Sequence, residues 1–343
     1  MTLILGLESS CDDSAVALVT SDRQVLAQAV VGQNSEHQPY GGVVPEIAAR
    51  AHVEILPNLI EGVLLEAKLS IHEVDAIAAT AGPGLIGGVM VALLAGKGLA
   101  LAADKPLIAV NHLEGHALSP RLVDPDLQFP YLLLLVSGGH CQLLEVLGVG
   151  NYRRLATTID DAAGEAFDKA AKLMDIGYPG GPAIEKMASG GNANAVPLPR
   201  PLVGSGEPHF SFAGLKSAVQ RAVASGDYAR SDIAASFQQA VVDCLVDRTR
   251  LALAVSDSAT LVVAGGVAAN QTIRTALSKL ARDNRRDFSV PPPWLCTDNA
   301  AMIAWAGLER LACGLTDTLY APARARWPLD TSAEKVRGAG VKA

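Results

Sequence analysis

The chain has 343 residues, of which 50% are hydrophobic and 18% are charged, and its formal net charge is −7. This composition predicts about two domains with a substantial core and excludes a globally disordered protein. The acidic balance excludes binding of nucleic acid through overall charge alone, because phosphate contacts depend on Lys and Arg. The five cysteines form no CxxC pair, which argues against a disulfide framework or a zinc knuckle and indicates a reducing, cytoplasmic location. The first residues have no basic stretch, so we expect no signal peptide.

A strand–loop–strand pattern occurs twice and predicts an internal structural duplication. The first copy is 3-LILGLES-9 and 15-AVALVT-20, which flank a loop rich in Asp and Ser. The second copy, 131-YLLLLVSGGHCQLLEVLG-148, has an apolar run, a short glycine loop and a second apolar run. The sequence similarity between the two copies is weak, so this prediction depends on the pattern alone.

Helices are predicted between the two copies. A helical period begins at Pro45, which suits a first turn, and Pro57 predicts a kink. The longest apolar tract, 85–103, carries Lys97 and many glycines, so we expect a buried helix rather than a membrane span. The stretch 107-LIAVNHLEGHA-117 predicts a strand that leads into a helix. Ligand sites in open α/β sheets lie at such strand ends.

The second half contains a strongly predicted helix, 160-DDAAGEAFDKAAKLM-174. Asp161, Glu165, Asp168 and Lys172 would share one face of it by their spacing. Such a charged face is usually solvated. Its place between two glycine loops would equally suit hydrogen bonds to ribose hydroxyls or to an amine, and both interpretations stay open at this point.

His112 and His116 are four residues apart, so on a helix both imidazoles would project to one side and share a metal ion. The Glu of the zinc-protease motif HExxH follows the first His directly, whereas Glu114 lies two residues after His112. The peptidase interpretation therefore lacks its general base. Asp298, near a predicted helix start, would complete a site of two His and one carboxylate, as in non-haem iron and some zinc proteins. The spacing alone leaves this metal site and two ordinary surface histidines about equally supported.

Glycines follow two predicted strands, at Gly138–Gly139 and at Gly265–Gly266. Bare main-chain N–H groups at a strand end bind phosphate well, because no side chain blocks the approach. One such loop is commonly only a turn, but two of them together with 177-GYPGGP-182 are stronger support for a phosphate site. Neither the P-loop nor the GxGxxG motif is present. Cys11 is flanked by acidic residues that raise the pKa of a thiol, so we do not expect it to be a nucleophile.

Ten segments resemble, in order and spacing, the bacterial tRNA N6-adenosine threonylcarbamoyltransferase family (TsaD), long called a glycoprotease family. The resemblance extends from about Leu3 to Leu329. The segments are GLESSCDDSAVAL, YGGVVPEIAARAHVE, TAGPGL, NHLEGH, LLVSGGH, IDDAAGEAFDKAAKLM, YPGGP, FSFAGLK, AGGVAAN and CTDNAAMIAWAG.

The resemblance implies an α/β fold of two duplicated actin/sugar-kinase/Hsp70-like (ASKHA) domains with a central cleft. The N-terminal half would comprise residues 1–128 with a returning helix at about 299–330. The C-terminal half would comprise 129–298, and 331–343 would form a disordered tail.

The resemblance also implies an activity: transfer of threonylcarbamoyl from threonylcarbamoyl-AMP to N6 of adenosine 37 in tRNAs that read ANN codons, with release of AMP. We expect Asp12 to be the general base. Residues matched to the family's ligands and substrate contacts are the metal ligands His112, His116 and Asp298, and the substrate-binding residues Leu135, Val136, Ser137, Gly138, Gly139, Asp168, Gly181 and Asn270. One divalent ion per subunit is implied, Fe²⁺ in preference to Zn²⁺.

The implied partners are tRNA, a paralogous subunit (TsaB) and an ATPase subunit (TsaE), with no membrane. Clusters at Arg282, Arg285 and Arg286 and at Arg324 and Arg326 are the expected local contacts for RNA. Two alternatives remain: a metal-dependent glycoprotein endopeptidase, and a nucleotide-binding scaffold or small-molecule kinase of the same fold.

Overall fold

The computed structural model of the chain describes residues 1–40 and 42–336. Its strands are β1 Leu3–Glu8, β2 Asp13–Thr20, β3 Val25–Gly32, β4 Ala76–Gly82, β5 Leu107–Asn111, β6 Tyr131–Val136, β7 Cys141–Gly148, β8 Asn151–Thr157, β9 Thr260–Ala264 and β10 Asp287–Ser289. Its helices are α1 Asn34–His37, α2 Pro45–Ala67, α3 Ile86–Ala103, α4 His112–Val123, α5 Ala163–Met174, α6 Gly180–Ala188, α7 Ala213–Ser225, α8 Arg230–Val255, α9 Gln271–Asp283, α10 Pro293–Cys296 and α11 Ala300–Ala312.

The described residues form two compact units, each with its own sheet. Unit 1 contains Met1–Leu127, Gly148–Asn151 and Thr297–Leu329, and unit 2 contains the remaining segments. These units are defined by compactness and not by independent folding. The domain boundaries expected from the sequence therefore stay a prediction. Of the tail expected to be disordered, residues 337–343 lie outside the described residues.

In unit 1 the strands lie in the order β3-β2-β1-β4-β5. β1 pairs antiparallel with β2 and parallel with β4, so β1 is central. Side chains of β1 alternate between the two faces of the sheet. Leu5 and Leu7 enter a core that includes Leu56 of α2 and Leu93 of α3. Gly6 faces α11, where a Cβ would lie 2.4 Å from the Ala300 carbonyl oxygen. Helices therefore cover both faces of this sheet.

In unit 2 the order is β10-β9-β6-β7-β8. β6 pairs antiparallel with β7 and parallel with β9. Its core joins Leu134 of β6 to Phe167 of α5 and Phe237 of α8, whose rings meet edge to face at a centroid distance of 5.3 Å. Each sheet thus has an antiparallel hairpin whose first strand continues into a parallel pairing.

This shared topology agrees with the duplication predicted from the two strand–loop–strand patterns. The α/β class is confirmed by two mixed sheets with packed helices. Strands β3 and β8, each of which lies at one edge of its sheet, were not predicted. β3 lacks a clear apolar alternation, since its residues range from buried to exposed.

Helix α3 is less buried than the sequence predicted. It is long and apolar enough, by length and composition only, to cross a membrane, and 39% of it is buried in the fold. Its small residues face the sheet, where a Cβ on Gly96 would lie 2.8 Å from Ala79 Cβ. Met90 and Leu94 are exposed on the opposite side. The expected buried helix is therefore buried on one face only, because that face packs on the sheet and the opposite face does not.

Helix α2 extends from Pro45 to Ala67 with Pro57 inside it, so the proline does not end the helix, and the kink expected there stays a prediction. One other local expectation needs correction. Asp161 precedes α5, which begins at Ala163, so it does not share a helical face with Glu165. Instead, the Lys169 ammonium bridges the Asp161 and Glu165 carboxylates at 2.7 and 2.9 Å.

Candidate functional site

Two histidines and one aspartate converge in unit 1. The imidazole nitrogens of His112 and His116 and a carboxylate oxygen of Asp298 lie within 4.8 Å of one another. Nε2 of His116 is 3.1 Å from Oδ1 of Asp298, and Nε2 of His112 is 3.5 Å from the same oxygen. His116 and Asp298, which are 182 positions apart in the sequence, are thus neighbours in the fold.

Asparagine caps place these three side chains. The Asn111 side-chain oxygen accepts a hydrogen bond from the Leu113 N–H at 2.9 Å, so α4 begins at His112 directly after β5. The two histidines then occupy the first two turns of α4. The Asn299 side chain caps α11 in the same way through the Met302 N–H, which fixes Asp298 just before that helix. The Asn111 amide also donates to the Trp327 carbonyl at 2.9 Å.

Behind His112 lies a carboxylate that the sequence did not reveal. Nδ1 of His112 is 3.1 Å from Oε2 of Glu8 and 3.0 Å from the hydroxyl of Ser10. Glu8 is fully buried at the end of β1. Its only signal was its position inside an apolar strand, where an unpaired carboxylate would be costly.

The three charged groups set each other's protonation. Burial by itself lowers the pKa of His112, but Asp298 and Glu8 raise it well above its usual value. Burial would raise the pKa of Asp298, yet the charge of His112 and hydrogen bonds from both histidines bring it well below its usual value. Burial likewise opposes ionisation of Glu8, and His112 brings its pKa below the usual value. These directions favour the charged form of all three groups, so the two carboxylates and the His112 imidazole stabilise one another.

These residues fit a divalent metal ion. Two imidazole nitrogens and one carboxylate oxygen are the donor types of zinc and non-haem iron sites. They leave coordination positions for other ligands. Both Nε2 atoms already approach one carboxylate oxygen, so the groups share a single focus.

Glu114 does not face this centre. Its carboxylate accepts hydrogen bonds from the Gly150 N–H at 2.9 Å and from the Arg310 guanidinium at 3.0 Å, and it is 2% exposed. A base that is buried in an ion pair cannot activate water at the metal position. The endopeptidase alternative loses support from this geometry.

The loop between β1 and β2 is acidic and lies next to the centre. Burial, then the charges of Asp298, Asp12 and Glu8, raise the pKa of Asp13 to about 7. Burial and nearby carboxylates also raise the pKa of the Cys11 thiol well above its usual value, so it is no nucleophile. Asp12 lies on this loop two residues after Ser10, which contacts His112. Its role as the general base stays a prediction.

In unit 2 the glycine loops meet at one edge of the sheet. β6 and β9 are parallel, so their carboxyl ends lie side by side. After β6, the Ser137 N–H donates to the His140 carbonyl at 2.8 Å and closes a tight turn. A Cβ built on Gly138 or Gly139 would meet no described heavy atom within 4 Å. The turn is therefore open to a ligand on its outer side.

Two further glycines allow main chains to approach this turn closely. A Cβ on Gly164, at the start of α5, would lie 2.7 Å from the Ser137 carbonyl oxygen. A Cβ on Gly265 would lie 2.4 Å from the Val136 carbonyl oxygen, and Gly265 has a φ of +94°. No L side chain could occupy either position without displacing the turn. These loops form one cluster, which we call the glycine cluster (Ser137–Gly139, Gly164 and Gly265–Gly266).

The predicted substrate residues have different surroundings. Leu135 and Val136 are fully buried in β6, so only their main chain could face a ligand. Asp168 accepts a hydrogen bond from the Gly180 N–H at 2.7 Å and fixes the start of α6. Gly181 follows on that helix, and a Cβ there would meet no described atom within 4 Å.

Asn270 is 6% exposed, and its side chain is engaged inside the fold. Its oxygen caps α9 through the Ile273 N–H at 3.0 Å, and its amide donates to Gln238 at 2.8 Å. These contacts make Asn270 a support for the loop after β9. Whether it also contacts substrate stays a prediction, as do the other substrate residues.

Comparison with known proteins agrees with this arrangement. The family model described as TsaD, tRNA N6-adenosine threonylcarbamoyltransferase, matches residues 24–305. A relative of that name from Sphingopyxis alaskensis is 73% identical over 344 residues and covers 100% of both chains. Another from Novosphingobium aromaticivorans is 66% identical over 350 residues, with 100% of both chains covered.

Among solved structures, HypF from T. kodakarensis is similar at a TM-score of 0.60 and 16% identity. The match covers 91% of this chain and 48% of that one. This likeness shows the fold, and it confirms the ASKHA-type architecture that the sequence predicted. The names of the full-length relatives confirm the predicted enzyme class, a transferase. On the match of the family model and of these relatives, the chain belongs to the tRNA N6-adenosine threonylcarbamoyltransferase family.

Proposed function

We propose that this chain, in the cytoplasm, transfers a threonylcarbamoyl group from threonylcarbamoyl-AMP to N6 of adenosine 37 in tRNAs that read ANN codons, and that AMP is released. Transfer to N6 of adenosine in tRNA follows from the family. The donor, the position in tRNA and the residue roles are our proposal. The observation that carries them is the convergence of His112, His116 and Asp298, all at the positions matched to metal ligands.

The glycine cluster suits the phosphate of the adenylate. Main-chain N–H groups at the ends of β6 and β9 present positive dipoles without side chains in the way. The donor is a mixed anhydride and already activated, so no covalent enzyme intermediate is required. The glycine cluster would position the donor and stabilise the departing phosphate. Together these two effects contribute several powers of ten in rate.

In unit 1, His112, His116 and Asp298 would hold one divalent ion, which we propose is Fe²⁺ rather than Zn²⁺. When bound, the ion supplies Lewis acidity or holds the threonyl carboxylate and hydroxyl. The chain's own contribution is a fixed donor set in a buried position. The charge of His112 and hydrogen bonds from both histidines hold the pKa of Asp298 well below its usual value, so this ligand is ionised, and His112 must release a proton before its Nε2 can bind the ion.

Asp12 is the proposed base for the proton lost by the adenine amine. It is partly exposed on the β1–β2 loop beside the metal centre, so a substrate can reach it. Its main-chain oxygen accepts a hydrogen bond from the Gln33 N–H at 3.1 Å, which fixes the loop. A carboxylate in that position could alternatively only shape the loop, and an Asp12→Asn variant distinguishes the two by its effect on rate.

The proposed partners are the paralogous subunit TsaB and the ATPase subunit TsaE, in addition to tRNA. A groove of about 850 Å³ between α2 and α3 has an apolar floor and exposes Val53, Met90 and Leu94. A paralogue of the same fold would present equivalent helices, so the two apolar faces would match. We therefore place TsaB on this groove. Leu94→Glu should abolish a stable heterodimer in gel filtration, and an unchanged elution profile would contradict the placement.

Binding of tRNA is proposed at exposed arginines, because the chain as a whole is acidic. Arg282 and Arg285 are exposed at the end of α9, and Arg324 and Arg326 are exposed in the segment after α11. Replacement of one phosphate-binding arginine by Ala should lower the slope of log affinity against log salt concentration by about one.

The test combines the purified chain, its two partner subunits, unmodified tRNA and threonylcarbamoyl-AMP. The RNA is then digested, and threonylcarbamoyladenosine is measured by mass spectrometry. We expect product with the native chain and none with His112→Ala. A preparation that contains metal and intact tRNA but yields no product would refute the proposal.

A further inference from the structure

The two imidazoles of the metal centre are held very differently. Nδ1 of His112 is 3.1 Å from the Glu8 carboxylate and 3.0 Å from the Ser10 hydroxyl. Nδ1 of His116 is buried and has no hydrogen-bond partner among the described residues. Among the described residues, Nδ1 of His112 therefore has two hydrogen-bond partners and Nδ1 of His116 has none.

Glu8 is held in place at both of its carboxylate oxygens. It is fully buried at the end of the central strand β1. Its Oε1 accepts the Ser10 N–H at 2.5 Å, and its Oε2 accepts the hydroxyl of Thr80 from the neighbouring strand β4. A carboxylate tied to main chain and to a second strand is a rigid acceptor.

A rigid acceptor decides which nitrogen of a neutral imidazole carries the proton. A carboxylate facing Nδ1 favours the Nδ1–H tautomer, which leaves the lone pair on Nε2. Nε2 of His112 is the nitrogen that faces Asp298, at 3.5 Å. Glu8 is on the far side of the ring from Asp298 and does not belong to the converging ligand group.

We infer that Glu8 is a positioning residue of the metal centre: it holds the His112 ring in the tautomer and orientation that present Nε2 to the ion. This inference depends on the metal site of the proposed function and not on the transfer reaction. Glu8 touches neither the ion nor the substrate, so it acts only through His112.

The test is metal affinity, measured on the full-length chain by Co²⁺ absorption and by competition with a chelator. Glu8→Gln keeps the size of the side chain, but its amide can donate to Nδ1 and so favour the wrong tautomer. We expect this variant to bind Co²⁺ about 10- to 100-fold more weakly than the native chain. Its visible spectrum should also change, because the ligand field of His112 changes.

Glu114→Gln is the matched control. Glu114 lies on α4 between the two histidines and is 2% exposed, and its carboxylate accepts hydrogen bonds from the Gly150 N–H and the Arg310 guanidinium. The Glu114→Gln variant should be less thermally stable, because a buried ion pair is lost. Its Co²⁺ affinity should stay within about threefold of that of the native chain.

Equal Co²⁺ affinity of Glu8→Gln and the native chain would overturn the inference. An equal loss in both Gln variants would also overturn it, because the effect would then be general loosening. If the native chain bound no metal, the inference would fail together with the metal part of the proposed function. If metal is bound normally but no modified tRNA forms, only the proposed reaction fails.

Discussion

The proposed metal centre of unit 1 and the glycine cluster of unit 2 are built on the same sheet topology by opposite means. The first consists of side chains whose charges fix one another: His112 between Glu8 and Asp298. The second consists of main chain, brought together because Gly164 and Gly265 carry no side chain. A side-chain site depends on which groups are present, and a main-chain site depends on which atoms are absent. The two regions should therefore respond to different substitutions.

The largest effect is expected from removal of a ligand in unit 1. His116→Ala should reduce metal content to background and the rate of tRNA modification by at least about 1,000-fold, because one of the three proposed protein ligands is lost. Metal is measured by mass spectrometry of the purified chain and product by digestion of the tRNA. The control is His72→Ala, whose imidazole is exposed on unit 1 and should leave both quantities unchanged. Full metal content in the His116→Ala variant would show that the site in unit 1 does not depend on this side chain.

The next largest effect concerns the packing that places Asp298. A Cβ on Gly6 would lie 2.4 Å from the Ala300 carbonyl oxygen and 2.7 Å from the Ala304 nitrogen. Gly6→Ala should lower the free energy of unfolding by about 2–3 kcal/mol, because α11 must move away from β1. Denaturant unfolding measures it.

Gly62→Ala is the control for this substitution. Gly62 is exposed inside α2, and a Cβ there meets no described atom within 4 Å. Since Ala has the higher helix propensity, stability should rise by about 0.5–1 kcal/mol. The two Gly→Ala changes should thus shift the free energy of unfolding in opposite directions. A shift in the same direction would show that the close approach at Gly6 does not determine stability.

In unit 2 the comparison predicts loss of nucleotide binding with metal retained. Gly164→Ala would place a Cβ 2.7 Å from the Ser137 carbonyl oxygen and 2.8 Å from the Gly138 Cα. Affinity for AMP, measured by calorimetry, should fall about tenfold because the turn must shift, while metal content stays native. Gly190→Ala is exposed, meets no described atom within 4 Å and should bind AMP normally. Native AMP affinity in the Gly164 variant would move the phosphate site away from the glycine cluster.

The smallest effect is on the pH dependence of stability. Burial and nearby carboxylates raise the pKa of Asp13 to about 7 in the folded chain, from 3.8. The folded state then binds the proton more tightly, so stability from this group is greatest at low pH and is lost as pH rises through about 4 to 7.

Asp13→Asn should remove this loss. In chelator-treated protein, the variant should gain on the order of 1–2 kcal/mol relative to the native chain between pH 5 and pH 8, after allowance for solvent exposure of Asp13. Denaturant unfolding at both pH values measures the difference. Added metal should shrink it, because the cation offsets the carboxylates. A gain that is independent of pH would indicate that Asp13 acts through shape rather than charge.

The sequence predicted the parts of the site that are carried by residue identity. His112 and His116 share a helix face by spacing alone, and the glycines after β6 and β9 mark the turns. Apolar runs predicted both hairpins. What the sequence could not supply is the distance between segments remote in the chain: Asp298 was paired with the histidines by residue type and family resemblance, and only the fold shows that they meet.

Other features were missed because their cause is tertiary. Glu8 lies in an apolar strand, and only the fold shows that its carboxylate meets His112. Asn270 matched a substrate contact, and only the fold shows its side chain capping α9. The exposed face of α3 was missed because composition does not tell which side of an apolar helix meets the sheet.

The long sequence separation within the proposed metal centre has one consequence for the order in which the site is completed. Its histidines are translated within about the first 116 residues, whereas Asp298 and the Trp327 carbonyl that accepts from Asn111 come near the end. A nascent chain on the ribosome therefore carries two imidazoles without their carboxylate for most of its synthesis. A chain that ends before residue 298 lacks one of the three converging side chains, so a truncated product cannot assemble the complete set of metal donors.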